Sequence, residues 1–212
     1  MNEEEHLKTL SDIKGLMERS SRFLSLSGLS GIFIGFYALA GSIAAWWFVN
    51  NYAIEITSYY TLATNPDTEE YKSFLSFFMG DALIVLALSL ITGYILTQRF
   101  ARKQGLKMWD TSAKRMVINL FIPLVTGGIY CLILLQNQHI ELIASSLLMF
   151  YGLSLLNASK YTFNDIRYLG ILEILLGLIA AMFPGYGIIC WAIGFGILHI
   201  IYGISMYYKY ER

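Results

Sequence analysis

Two ionisable residues stand in matching frames inside otherwise apolar stretches. One is Gly170-Ile171-Leu172-Glu173 followed by Gly177, and the other is Gly196-Ile197-Leu198-His199 followed by Gly203. Each reads glycine, two residues, ionisable residue, three residues, glycine. Steps of three and four residues stack on one face of a helix, so each ionisable residue shares a face with its glycines. Pro184-Gly185 turns the chain between the two stretches, which makes them an antiparallel hairpin. Glu173 lies 11 residues before Pro184 and His199 lies 15 after it. At 1.5 Å per residue their depths differ by about 6 Å or less. The spacing predicts that Glu173 and His199 face each other, with the glycines allowing close approach. A carboxylate beside an imidazole can titrate a proton or bind a ligand. The same contact can serve structure alone, as an interhelical hydrogen bond that fixes the register of the hairpin.

Two more polar residues fall inside apolar runs. Asp81 either lines an outer cavity or accepts a hydrogen bond from a neighbouring hydroxyl. Asn119 lies one turn before Pro123 and is placed to repair the backbone there. A polar group at mid-membrane costs a few kcal/mol unless paired, so each needs an account. His139 and Glu141 sit at an apolar boundary and are expected to be solvated. Thr162-Phe163-Asn164-Asp165 has the form of a threonine helix cap with an acid three residues on.

Other chemistry is missing. There is no His-Glu-x-x-His zinc motif, no P-loop and no Gly-x-Ser-x-Gly elbow. Three histidines in separate regions make no haem or metal set. No catalytic residue, metal or cofactor is assigned. Cys131 and Cys190 read as small buried hydrophobes, with a disulfide as the alternative. The sequon Asn157-Ala158-Ser159 falls on the inner side and carries no meaning for glycosylation.

The elements that must position these residues follow from composition. Of 212 residues, 56% are hydrophobic and 14% charged, and the mean hydropathy is +0.55. A soluble domain carries about a quarter charged residues. Here the charges cluster between apolar runs that approach the roughly 20 residues needed to cross hydrocarbon. The runs lie at about 23–50, 74–98, 116–136, 140–157, 167–183 and 186–208. In lipid they must be helices, because backbone groups find no partner there. The fold expected is an all-α membrane bundle of about six transmembrane helices over 23–208. A cytoplasmic amphipathic helix precedes it over 1–22, and a short tail follows at 209–212. The first apolar run is too long for a signal-peptide core, so no cleaved leader is expected. A net charge of zero gives nucleic acid nothing to bind.

Basic residues orient the bundle. All of the 15 lysines and arginines except Lys72 fall in the amino-terminal segment, the connections after the second and fourth spans, or the tail. The positive-inside rule then puts both termini in the cytoplasm. Trp46, Trp47, Tyr52 and Trp191 mark the outer boundary, and Tyr207, Tyr208 and Tyr210 the inner one. Leu7, Leu10, Ile13 and Met17 form the apolar stripe of the amino-terminal helix, with Asn2 and Glu5 in capping-box positions. The loop 51–72 is acidic and tyrosine-rich. The inner loop 99–115 carries Arg99, Arg102, Lys103, Lys107, Lys114 and Arg115, which suit anionic lipid or a protein partner.

Small residues predict the packing. Ser27, Gly31 and Gly35 recur every four residues and are followed by Ala38 and Ser42. Such a groove lets backbones approach, either within the bundle or in a homodimer. Pro123 with Thr126-Gly127-Gly128 predicts a kink in the third span.

The stretches 17–31, 168–173 and 194–203 resemble a group of uncharacterised six-span inner-membrane proteins of Bacteroidetes. The resemblance covers most of the chain. It implies a bacterial inner membrane and a role in envelope sensing, and members of the group often appear beside a small winged-helix regulator. It supplies no activity and no catalytic residue. Three functions compete. The first is a non-enzymatic sensor or regulatory component that acts through partners at the cytoplasmic face. The second is a small proton-coupled transporter using Glu173, His199 and Asp81. The third is an intramembrane lipid-modifying enzyme with Glu173 and His199 as acid and base. A water-filled cavity reaching Glu173 would favour the second or third, and a dry, closed hairpin with Glu173 hydrogen-bonded to His199 the first.

Overall fold

The computed structural model describes residues 23, 26–51, 68–105 and 108–212. The amphipathic helix expected over 1–22 and most of the loop 51–72 lie outside the described residues. The rest is helical, with no strand among the described residues. Six helices follow in order: α1 (Gly28–Asn51), α2 (Glu69–Lys103), α3 (Thr111–Gln136), α4 (Ile143–Ala158), α5 (Asp165–Met182) and α6 (Gly187–Glu211). All except α5 are long and apolar enough to cross a membrane, α4 together with the single 3-10 turns at its ends. α5 has 18 residues and includes Asp165, Arg167 and Glu173.

Capping explains where α2 and α3 begin and end. Thr68 Oγ1 accepts from the Tyr71 amide at 3.3 Å, and Glu69 and Glu70 occupy the first turn, where the helix dipole favours acids. Arg102 and Lys103 fill the last turn, and Gly105 at φ 67° ends the helix. α2 therefore outruns the apolar run at 74–98 at both ends and reaches about 50 Å at 1.5 Å per residue. Asp110 Oδ1 accepts from the Ala113 amide at 2.6 Å and starts α3. α1 begins at Gly28 rather than at residue 23. Phe23 is instead tied to the α4–α5 connection: its amide donates to the Tyr161 carbonyl, and its carbonyl accepts from Thr162 Oγ1, both at 2.7 Å. Thr162 is thus spent on the incoming chain and does not cap α5, which starts three residues later.

Successive helices run antiparallel. Phe48, Tyr71, Phe74 and Ile140 cluster at one end of the bundle, and Phe23, Ala113, Met116 and Ala158 at the other. α1 packs on α2 and α6, α4 packs on α3 and α5, and α6 also meets α4 and α5. α2 and α3 flank this core and expose broad apolar faces, including Leu83, Ile84 and Leu90 on α2 and Ile118, Ile122 and Leu132 on α3. Hydrocarbon is the solvent such faces suit.

The small-residue stripe of α1 is used inside the chain. A Cβ on Gly31 would stand 3.1 Å from Gly203 Cα, and one on Gly35 would stand 2.6 Å from the Gly196 carbonyl oxygen. Gly196 and Gly203 therefore face α1. Gly170 and Gly177 face α4, where a Cβ would meet the Gly152 oxygen at 2.7 Å and the Met149 amide at 2.9 Å respectively. This corrects the expectation that these four glycines draw α5 and α6 together. Ser27 precedes α1 and lies against Glu211, with their side-chain oxygens 3.4 Å apart. Glu211 also accepts from the Gly28 amide, so the end of α6 caps the start of α1.

Candidate functional site

Glu173 and His199 are both deep inside the bundle, 0% and 4% exposed. The nearest approach is 3.5 Å, between His199 Nδ1 and Glu173 Oε1. The close approach that the frame of glycines had suggested is supplied by a different residue, Gly194. A Cβ there would lie 2.5 Å from Glu173 Oε2 and 2.5 Å from Leu148 Cδ2. Only glycine leaves room for the carboxyl group.

Gly194 sits in a π-helical stretch of α6, Ala192–Leu198. Widening of the helix is a recurrent feature of functional sites. Just past it, the His199 ring turns back so that Nδ1 is 3.0 Å from the Gly194 carbonyl oxygen. A carbonyl only accepts, so Nδ1 carries the hydrogen. In the neutral ring Nε2 is then an acceptor, and the Tyr151 hydroxyl of α4 stands 2.8 Å from it. The Tyr151 and His199 rings also lie against each other, with centroids 5.4 Å apart. Three helices thus contribute to one cluster: Tyr151 from α4, Glu173 from α5, and Gly194 with His199 from α6.

The cluster is incomplete in one respect. Neither Glu173 carboxyl oxygen has a hydrogen-bond partner, although both are buried. Most buried side-chain polar atoms are satisfied, and an unpaired buried carboxylate is among the costliest exceptions. One turn beyond His199, the Tyr202 hydroxyl is also buried without a partner. Chemically, the arrangement can hold and pass protons. It contains no nucleophile, and no group of His, Cys, Asp and Glu among the described residues can hold a metal ion.

The other candidates lie elsewhere. Asp81 on α2 packs against α1: a Cβ on Gly41 would stand 3.1 and 3.2 Å from its two carboxyl oxygens. It is separate from the Glu173 cluster. Asn119 donates from Nδ2 to the Arg115 carbonyl at 2.8 Å. The repair of the proline site comes instead from Asn157 on α4, whose Nδ2 reaches the Asn119 carbonyl oxygen at 2.9 Å. α3 runs uninterrupted from Thr111 to Gln136 through Pro123. Cys131 and Cys190 are free thiols. His139 and Glu141 pair at the surface, 3.3 Å apart.

Tyr151, Gly194, Asn157 and Tyr202 escaped the sequence reading. A tyrosine within an apolar span is a usable signal, because its hydroxyl needs a partner once buried. Gly194 carries no such mark in the sequence. No family model, curated protein or solved structure matches the chain.

Proposed function

We propose that this chain is a non-enzymatic sensor or regulatory component of a bacterial inner membrane, with both termini in the cytoplasm, acting through a protein partner. The observation that carries this reading is the closure of the site. Glu173 has no exposed surface, and Tyr151, Gly194 and His199 enclose it from two neighbouring helices. A carrier needs its coupling group reachable by solute, and a lipid-modifying enzyme needs its acid and base reachable by lipid. A groove of about 310 Å³ between α1 and α6 is lined by apolar side chains such as Leu39, Ile43, Trp46 and Ile193, and contains none of the cluster residues.

The orientation rests on the basic residues. Arg99, Arg102 and Lys103 close α2, and Lys114 and Arg115 open α3 at the same end of the bundle. These side chains, with Trp109 exposed between them, offer a partner a cationic surface.

The proton-coupled carrier is the second reading, favoured by the unpartnered Glu173 oxygens. Native mass spectrometry of protein gently extracted from its own membrane separates the two. A stoichiometric protein partner lost on neutralising Arg99, Arg102, Lys103, Lys114 and Arg115 supports the sensor. A bound small molecule or metal ion lost in Glu173→Gln overturns it in favour of a carrier.

A further inference from the structure

We infer that Glu173 is a proton-binding site reached from one end of the bundle only, through a relay of His199, Tyr151 and Tyr202 that begins at Asp165 and Tyr210. The inference names the signal that a sensor would read, and for that use it rests on the sensor reading. Proton occupancy is measured directly, however, and stands or falls whether or not a partner exists.

The geometry begins at the imidazole. The hydrogen on His199 Nδ1 lies between two acceptors, the Gly194 oxygen at 3.0 Å and Glu173 Oε1 at 3.5 Å. A small rotation of the ring transfers its bond from the first to the second. On the other side of the ring, Nε2 is 2.8 Å from the Tyr151 hydroxyl. A proton arriving from Tyr151 forms an N–H bond at Nε2. The N–H bond at Nδ1 then breaks, and its proton forms the O–H bond of the Glu173 carboxylic acid. The ring ends neutral, as the other tautomer, and reverse transfer restores it. Tyr151 regains a hydrogen from the next hydroxyl, so nothing is consumed but the proton.

The next hydroxyl is Tyr202. It is buried without a partner, and along α6 it stands three residues after His199 and eight before Tyr210. Its ring packs with Tyr151 against Leu155, Ile166 and Leu169. A free hydroxyl between two polar groups is what a hydrogen-bond relay requires, since it can accept from one and donate to the other. At the end of the bundle the Tyr210 hydroxyl donates to Asp165 Oδ2 at 2.7 Å, and Lys209 reaches the same carboxylate at 3.0 Å. The Asp165 side chain is 26% exposed, so this group meets solvent.

Toward the opposite end the route stops. Leu148, Ala180 and Cys190, with Leu176 and Phe195, form an apolar cluster on the far side of Glu173. Among the described residues, the titratable groups on the elements packed against Glu173, short of the Tyr207–Glu211 end of α6, are Tyr151 of α4, His199 of α6 with Tyr202 one turn on, and the buried Cys190 thiol of α6 within the apolar cluster. Tyr37 of α1 is engaged with Thr92 of α2 at 3.2 Å. A proton therefore enters and leaves by the same end, which suits sensing rather than conduction.

The test is infrared difference spectroscopy of the full chain in nanodiscs of phosphatidylethanolamine and phosphatidylglycerol, stepped in pH. The expected result is a carboxylic-acid carbonyl band that grows as pH falls, is lost in Glu173→Gln and is shifted in Glu173→Asp, which keeps a carboxyl. Tyr202→Phe should slow the growth of the band after a pH jump and leave its final amplitude unchanged. A band that persists in Glu173→Gln, or none that responds to pH in the folded protein, overturns the site. An unchanged rate in Tyr202→Phe overturns the relay.

Discussion

The side-chain amide of Asn157 donates to the backbone carbonyl of Asn119, 2.9 Å away, and that carbonyl is the one Pro123 leaves without a helical donor. In a regular helix the amide of residue 123 would satisfy it, and proline has none. Asn157 also reaches Asn119 Oδ1 at 3.3 Å, so α4 mends α3 and is held to it by the same group.

Asn157→Ala should therefore destabilise the bundle by about 1 kcal/mol, the usual size of an interhelical hydrogen bond in a membrane. Pro123→Ala restores an amide to the Asn119 carbonyl, so the same substitution should cost less in that background. A double-mutant cycle on unfolding in mixed micelles reads the difference. Equal costs in both backgrounds would show that Asn157 does not serve the proline gap.

The α1–α6 contact gives a second prediction through a matched pair of glycines. A Cβ on Gly203 would stand 2.6 Å from the Ile32 amide nitrogen and 2.7 Å from the Gly28 oxygen, both backbone atoms that cannot rotate away. Gly203→Ala should cost about 1–3 kcal/mol as the helices are forced apart. Gly128 faces open space, so Gly128→Ala should be neutral or stabilise by up to about 1 kcal/mol through helix propensity. Thermal unfolding of the two variants in one detergent compares them.

Glu173 should be unfavourable for stability. Its oxygens are buried and unpartnered, so Glu173→Met, which keeps the volume and removes the polar group, should raise stability by about 1 kcal/mol or more. Tyr151→Phe should do the reverse, lowering stability by about 1 kcal/mol, because it strips His199 Nε2 of its partner. Denaturant midpoints measure both. A loss of stability in Glu173→Met would mean that the carboxyl is held by interactions beyond those described.

Acid should loosen the end of α6. Burial alone would raise the Asp165 pKa, but hydrogen bonds from Tyr210 and Lys209 and the Lys209 charge outweigh it, leaving the carboxyl below its ordinary value of 3.8. A carboxyl depressed in the folded state stabilises fully above its unfolded pKa, and that contribution is lost as pH falls through the folded pKa. The protection of residues 206–211 against hydrogen exchange, taken relative to the pH-dependent intrinsic rate, should therefore be constant above the ordinary carboxyl range and fall below it. Asp165→Asn should show the lower protection already at neutral pH. An acid-induced loss of protection of equal size in Asp165→Asn would assign it to another group.

The sequence determined the solvent of this protein and much of its order. Long apolar runs separated by charge clusters leave the helix as the only backbone arrangement that satisfies itself in lipid, so the spans near Gly28–Asn51, Thr111–Gln136 and Gly187–Glu211 were legible from composition. The depth of Glu173 and His199 was legible too, because helical rise and one turn at Pro184-Gly185 fix it. The azimuth of each helix was decided only by the tertiary structure. Four-residue spacing marks a face but does not name its neighbour, so Gly196 and Gly203 turned to α1, and Gly170 and Gly177 to α4. The π-helical stretch at Ala192–Leu198 widens α6 where Gly194 meets Glu173, and His199, just past it, meets Tyr151. Such partners are chosen by long-range packing between helices far apart in the chain, and no local pattern carries that information.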